Sequence, residues 1–204
     1  KGDVQWRFFN APERGSVTGN FAMVDSAVRA DTLAQMRLMQ QAIDELGAEV
    51  EARIGANPVD YVLGEIGGNA GRAISGSETK EKDQLGGVSI ELIDADLRVG
   101  YSSRDFVSDL QDRVARHPQL EAISFRSWGS GPGSGDAIDV QFYGADAQTL
   151  KDASDALKEQ LVQFPEVSAV EDDLPYDKEE LILELTAKGQ ALGFTIDGLG
   201  RDLR

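Results

Sequence analysis

Three times along this chain a stretch with helical spacing meets a proline and continues as a strand. The junctions are Asn57-Pro58-Val59, His117-Pro118-Gln119 and Phe164-Pro165-Glu166. Proline has no N–H for the helix ladder and drives the residue before it toward extended backbone, so each junction is a helix stop. The second is followed by Leu120-Glu121-Ala122-Ile123 and the third by Val167-Ser168-Ala169-Val170, with the same apolar spacing. A recurring helix–Pro–strand unit means duplicated αβ pieces, and therefore a sheet with its helices on one side.

Composition narrows what such a chain can do. Its 204 residues suffice for one large or two small domains. Hydrophobic content of 41% and charged content of 27% are those of a soluble globular protein. No apolar run nears the roughly 18–20 residues that span a bilayer. Residues 1–9 lack the apolar core and small-residue cleavage site of a secretory signal. The sequence opens without Met and ends at Arg204 with no evident terminating element, so it is expected to be a piece of a larger protein. The net charge of −16 argues against nucleic acid and anionic lipid as partners, because phosphate binding needs a cationic face. Acid crowds one stretch, where Glu171, Asp172, Asp173, Asp177, Glu179 and Glu180 face Lys178 alone. Such a run reads as a solvated turn, with a cation site as the sharper alternative. There is no cysteine, which removes disulfides, thiolate catalysis and zinc–thiolate sites and fits an oxidising compartment.

Along the chain, residues 16–24 alternate as a strand, with Val17, Gly19, Phe21 and Met23 on one side and Thr18, Asn20 and Ala22 on the other. Asp31 or Thr32 can cap the helix that follows. Its apolar face is Leu33, Met36, Met39, Ile43, Leu46, Val50 and Ile54. Residues 59–66 form a second strand. A polar, glycine-rich insert over 67–87 carries Glu78, Lys80, Glu81, Lys82 and Asp83 at its tip. About 20 residues without pattern are unusual inside a compact domain, and such a loop is expected to be functional or mobile. Residues 88–93 read as a third strand. Ser102 or Ser103 caps a helix to 116, with Phe106, Val107, Leu110 and Val114 inward, and 120–127 is a fourth strand. The order is β-α-β-β-α-β, the ferredoxin-like arrangement of the α+β class.

This first subdomain is assigned to residues 1–128. Residues 129–135, GSGPGSG, form a flexible linker, and 136–204 a second subdomain. There Ile138, Val140 and Phe142 alternate with Asp139 and Gln141. Asp146 caps a helix to about 163, with Leu150, Ala153, Leu157 and Leu161 inward. Strands are expected near 167–171 and 180–186, and a broken helical region runs through Ala191-Leu192-Gly193 and from Ile196 to Leu203. This second unit is an incomplete ferredoxin-like β-α-β-β-α. Without its final strand a split βαβ sheet has an open slot lined by unpaired backbone.

Little here suggests catalysis. The single histidine, His117, sits at a helix end before a proline, where its charge suits the helix C-terminus, so no Ser–His–Asp arrangement is available. No G-x-x-x-x-G-K-S/T phosphate loop is present. Gly67-Gly68-Asn69-Ala70-Gly71 follows a strand, but charged loop rather than an amphipathic helix comes after it, against a dinucleotide site. Met36 and Met39 lie on the helix stripe and Met23 on a strand's apolar face, so all three read as core and not as metal ligands. Nothing in the spacing selects two of the many carboxylates for acid–base work. No enzyme activity, metal or cofactor is therefore expected. Trp6 and Phe8-Phe9 make an aromatic start, either a packed lead-in strand or the end of a membrane-proximal segment.

At Phe8-Phe9-Asn10-Ala11-Pro12-Glu13-Arg14-Gly15-Ser16-Val17 the chain resembles the resistance-nodulation-division (RND) efflux transporters of the acriflavine-resistance type. It is similar to the start of the periplasmic loop in the second half of such a pump, which typically reads F-P-x-x-D/E-x-G-x-F/V. The resemblance continues through residues 64–72 and Gly86-Gly87-Val88-Ser89-Ile90-Glu91-Leu92, the family's glycine-rich loop and next strand. Arg104-Asp105-Phe106 opens its second helix. Phe142-Tyr143-Gly144-Ala145-Asp146 with Leu150, Pro165-Glu166-Val167, and Ala191-Leu192-Gly193-Phe194-Thr195 match later motifs. Each motif alone is weak; their order over nearly the whole chain is what carries the match.

The resemblance implies two porter subdomains of split βαβ type, the second interrupted by a docking insertion after which its last strand returns. It implies the periplasmic portion of a proton-driven inner-membrane exporter working by alternating access, with small-molecule export substrates. Homotrimeric assembly, a periplasmic adaptor and an outer-membrane channel are the implied partners. The implied substrate path is the loop Gly68, Asn69, Ala70, Gly71 and Arg72, with Phe125 and Trp128. Multidrug members carry an aromatic residue near the position of Asn69 and lack this charged extension, so the departure weighs against broad recognition of aromatic drugs. The rival readings are a soluble regulatory or ligand-binding module of tandem ferredoxin-like domains, and a small enzyme on the same fold.

Overall fold

Alternation in the first segment is realised as strand β1, Ser16–Met23. It lies inside a four-stranded antiparallel sheet with β2 (Val59–Ile66), β3 (Leu85–Leu92) and β4 (Leu120–Ser127), in the order β2-β3-β1-β4. Helix α1 (Arg29–Ile54) joins β1 to β2, and α2 (Ser103–Arg113) joins β3 to β4. The chain is thus a mixed α+β protein whose first part runs β-α-β-β-α-β. This computed structural model describes residues 13–127, 138–161, 163–164, 167, 169–173 and 184–202. The chain divides into two compact units, Lys1–Leu174 and Pro175–Arg204.

Both helices cover one face of the sheet. Val17, Phe21 and Met23 of β1, Val88, Ile90 and Leu92 of β3, and Phe125 of β4 bury against Met36, Met39, Ile43, Leu46 and Val50 of α1 and Phe106, Val107 and Leu110 of α2. Two glycines permit this packing. A Cβ at Gly19 would lie 2.6 Å from the Phe125 ring, and one at Gly86 would lie 2.3 Å from Phe21.

Helix α1 begins at Arg29, earlier than the expected caps. The Asp31 carboxylate reaches back to accept from Val28 N at 2.9 Å, while Thr32 is buried. Leu33 is therefore on the rim, 38% exposed, instead of in the stripe. The helix ends at Gly55, whose φ of 86° is the left-handed value of a C-cap, before the extended turn at Pro58. Helix α2 has Ser102 as its N-cap, accepting from Asp105 N at 3.1 Å, and stops at 113, three residues short of the expected end. That leaves 114–117 to reach back to α1: Gln35 donates to Ala115 O at 3.2 Å and accepts from His117 N at 2.7 Å. His117 Nδ1 accepts from Gln119 N, so its role is the turn into β4.

A second polar tie holds the entry to β1. Arg98, 2% exposed, donates to Ile93 O, Tyr101 O and Glu13 Oε1. Glu13 also accepts from Ser103 N at 2.7 Å, and Arg53 stacks over the Tyr101 ring at 4.8 Å. Burial, followed by the hydrogen bond to Asp109, pushes the Tyr101 hydroxyl pKa well up.

After β4 comes α3 (Ala147–Leu161), capped as expected by Asp146, whose carboxylate accepts from Thr149 N at 3.0 Å. Residues 138–143 do not form the expected strand. Their alternation is present, but Ile138, Val140 and Phe142 are all exposed, and among the described residues no strand lies beside them. Nor are 167 and 169–171 in a strand. A strand without a hydrogen-bonded neighbour has neither ladder nor face to bury. The linker 129–135, residues 180–183 of the other expected strand, and the N-terminal aromatics lie outside the described residues. Helices α4 (Ala187–Ala191) and α5 (Ile196–Asp202) agree with the expected broken helical region. Among the described residues no helix is long and apolar enough to cross a membrane.

Candidate functional site

The face of the sheet away from α1 and α2 is crossed by the loop between β2 and β3. Its underlying surface follows from the strand register. One row is Leu63, Ser89, Thr18 and Arg126; the next is Glu65, Gly87, Asn20 and Ser124; a third is Leu85, Ala22 and Ala122. Ile74 of the loop buries against Ala22 and Leu85. The expected bare insert of 67–87 is shorter than its sequence suggests, because β3 already begins at Leu85 and 67–84 carries 3-10 turns at Ser77–Thr79 and Lys82–Gln84.

Two asparagines hold the start of the loop. Asn20, 2% exposed, donates to Ala70 O and Arg72 O at 2.9 Å each and accepts from Ala70 N at 2.7 Å. Asn69 reaches the other way, donating to Gly86 O at 2.9 Å and Phe21 O at 3.3 Å and accepting from Ile74 N. Gly87 makes room for this approach: a Cβ there would fall 2.5 Å from Asn20 Oδ1 and 2.6 Å from Ala70 N. Beside Asn20, the Ser124 hydroxyl is buried and has no hydrogen-bond partner among the described residues.

Charge holds the far end. Lys80 Nζ donates to Asp25 at 2.8 Å and to Glu121 at 2.5 Å, with the Lys80 side chain 5% and Glu121 10% exposed. Burial pulls the Lys80 pKa down, but the bonds and charges of Asp25 and Glu121 outweigh it and leave it above the ordinary lysine value. Thr32 donates to Asp83 O, Gln84 donates to Asp25 O at 2.8 Å, and Arg29 pairs with Asp83 on the surface. The loop expected to be mobile is thus tied down at both ends, with Lys80 and Asp83 the tip charges engaged in those ties.

These contacts sort the expected substrate-path residues. Asn69 and Ala70 turn into the sheet; Gly71 and Arg72 are exposed and Gly68 half-buried. Phe125 lies on the opposite face, 1% exposed in the helix-covered core. The sheet separates it from the loop, and it packs in the core. Trp128 lies outside the described residues. In the acidic stretch, Glu171 accepts from Arg126 and Ser75, and Asp172 from Lys151 and Lys158. No group of side chains among the described residues is arranged to hold a metal ion. Asn20 and Arg126 carry no distinguishing signal in the sequence, while Glu171 stands out there only as part of the acidic stretch. No family model, curated protein or solved structure matches this chain.

Proposed function

We infer that this chain is the periplasmic porter region from the second half of an RND-type, proton-driven inner-membrane exporter. The observation that carries the reading is the agreement between motif order and element order. Gly86-Gly87-Val88 opens β3, Arg104-Asp105-Phe106 opens α2, Gly144-Ala145-Asp146 leads into α3, and Ala191-Leu192-Gly193 closes α4. The β-α-β-β-α-β order with strands 2-3-1-4 supports a ferredoxin-like, split βαβ first subdomain. In this reading 136–204 belongs to a second, incomplete subdomain, and the protein works as a trimer with adaptor and outer-membrane channel. It is a transporter part, not an enzyme.

The loop then contributes the exposed Gly71 and Arg72 to the substrate path, while Asn69 and Ala70 help fix it on the sheet. A loop without an aromatic side chain suits small polar substrates better than flat aromatic ones. The test is export by the full-length protein in an efflux-deficient bacterial host. Expression should lower accumulation of some compounds in a mixed panel, and Arg72→Ala should shift which ones. A panel wholly unaffected by expression would overturn the reading.

A further inference from the structure

Helix α3 is held to the segment after it by charge more than by apolar packing. Leu150, Ala153, Leu157 and Leu161, expected to point inward, are only half-buried, and Ser154 is its buried side chain. Lys151 and Lys158 both donate to Asp172 Oδ2, at 2.7 and 2.6 Å, and Ser154 Oγ donates to the same oxygen at 3.2 Å. The neighbouring carboxylate serves the other side. Glu171 Oε1 accepts from Arg126 Nη2 at 2.7 Å, and Oε2 accepts from Ser75 N at 3.1 Å and Ser75 Oγ at 3.4 Å. The two adjacent acids thus face two different bodies.

We propose that Glu171 and Asp172 form a clasp that couples the position of α3 to the seating of the loop 67–84 on the sheet. Asp172 is bound to the helix, while Glu171 is bound to the loop at Ser75 and to β4 at Arg126. One residue of chain spans at most about 3.3–3.6 Å. Because only one peptide unit joins them, a large displacement of α3 that carries Asp172 with it strains the Glu171–Ser75 contact or breaks the lysine pairs. Both carboxylates are largely buried, Glu171 14% and Asp172 10% exposed, so solvent screens them less than surface pairs. Just before them Ala169 has φ 54°, a left-handed conformation that a non-glycine residue keeps only when its surroundings hold it. Coupling of this kind is reciprocal: whatever fixes the loop also steadies α3. It does not depend on the transporter reading.

Hydrogen exchange of the 204-residue chain, with Asp172→Asn, tests the clasp. Asparagine keeps the shape and removes the charge that ties both lysines to the segment after α3, leaving their pairs with Asp155 inside the helix. Exchange should rise in α3 and also, by roughly fivefold or more, in peptides covering 70–80, on the Glu171 side of the clasp. The strand Leu85–Leu92 should be unchanged. Glu171→Gln should in turn loosen α3. If Asp172→Asn speeds exchange in α3 alone, the clasp is refuted. If it unfolds the sheet as well, Lys151→Gln, which leaves Lys158 on Asp172, decides the matter: a smaller rise in both α3 and the loop supports the coupling, and a rise confined to α3 overturns it.

Discussion

Replacing Asn20 by alanine should release the loop from the sheet without touching the helix-covered core. The substitution removes three hydrogen bonds, two donated to Ala70 O and Arg72 O and one accepted from Ala70 N. A net hydrogen bond contributes about 1 kcal/mol, and a buried N–H left without a partner costs about 1–3 kcal/mol. Water entering beside the shortened side chain offsets part of this, so a loss of about 3 kcal/mol is expected. That is a large share of the about 5–15 kcal/mol by which domains are stable. With a urea m-value of about 1–3 kcal/mol/M, the midpoint should fall by about 1 M or more. Exchange of the amides at 69–72 should rise further than that of α1 or β3. A midpoint shift under about 0.3 M, with the 69–72 amides as slow as before, would show that the asparagine is not what holds the loop.

Other outcomes follow from the same contacts. Phe125→Ala should cost about 3–5 kcal/mol in chemical denaturation, as for an aromatic in a packed core; a loss under about 1 kcal/mol would mean the ring is not buried there. Ser124→Ala should be neutral or stabilising by up to about 1 kcal/mol, since it removes a buried hydroxyl without a partner, and clear destabilisation would reveal an unseen one. Lys80→Ala should cost about 2 kcal/mol and speed exchange at 77–82, because Glu121 is left buried without its cation. The Asp172 carboxyl is raised by burial but lowered further by Lys151 and Lys158, ending below its ordinary 3.8. Its contribution is therefore present above about pH 4 and lost as pH falls through the depressed folded value, and Asp172→Asn should flatten the acid limb of the stability–pH curve. Lys80 has the opposite sign: its folded pKa is raised above 10.5, so its contribution holds below that pH and fades as pH rises through the folded value.

What the sequence made legible is the part built by apolar periodicity. Val17, Phe21 and Met23 alternate, and Met36, Met39, Ile43, Leu46 and Val50 recur at helical steps; both patterns lie in one buried core. The helix–Pro–strand junctions at Pro58 and Pro118 mark where α1 and α2 have ended and β2 and β4 begin. The loop looks patternless in sequence because its ties are polar, and Asn20, Asn69 and Lys80 bind by position across the sheet, which has no period along the chain. Gly86 and Gly87 looked like loop residues but are strand residues chosen for what a side chain would strike. The family resemblance offers Phe125 as a substrate-path candidate but does not tell which side of its strand it occupies; the register places it in the helix-covered core. In the second half, the alternation of Ile138, Val140 and Phe142 suggested a strand, but alternation supplies only a face, and the neighbour that makes it a strand is set by tertiary structure.

The membrane topology of the full-length protein tests the central reading most directly. An antibody to residues 13–127 would follow the native protein through fractionation, alkaline extraction and protease treatment of spheroplasts. The reading predicts an integral membrane protein that resists extraction and whose porter region is cut from the periplasmic side. A protein recovered in the soluble fraction, or one whose epitope is protected until the inner membrane is broken, would contradict it.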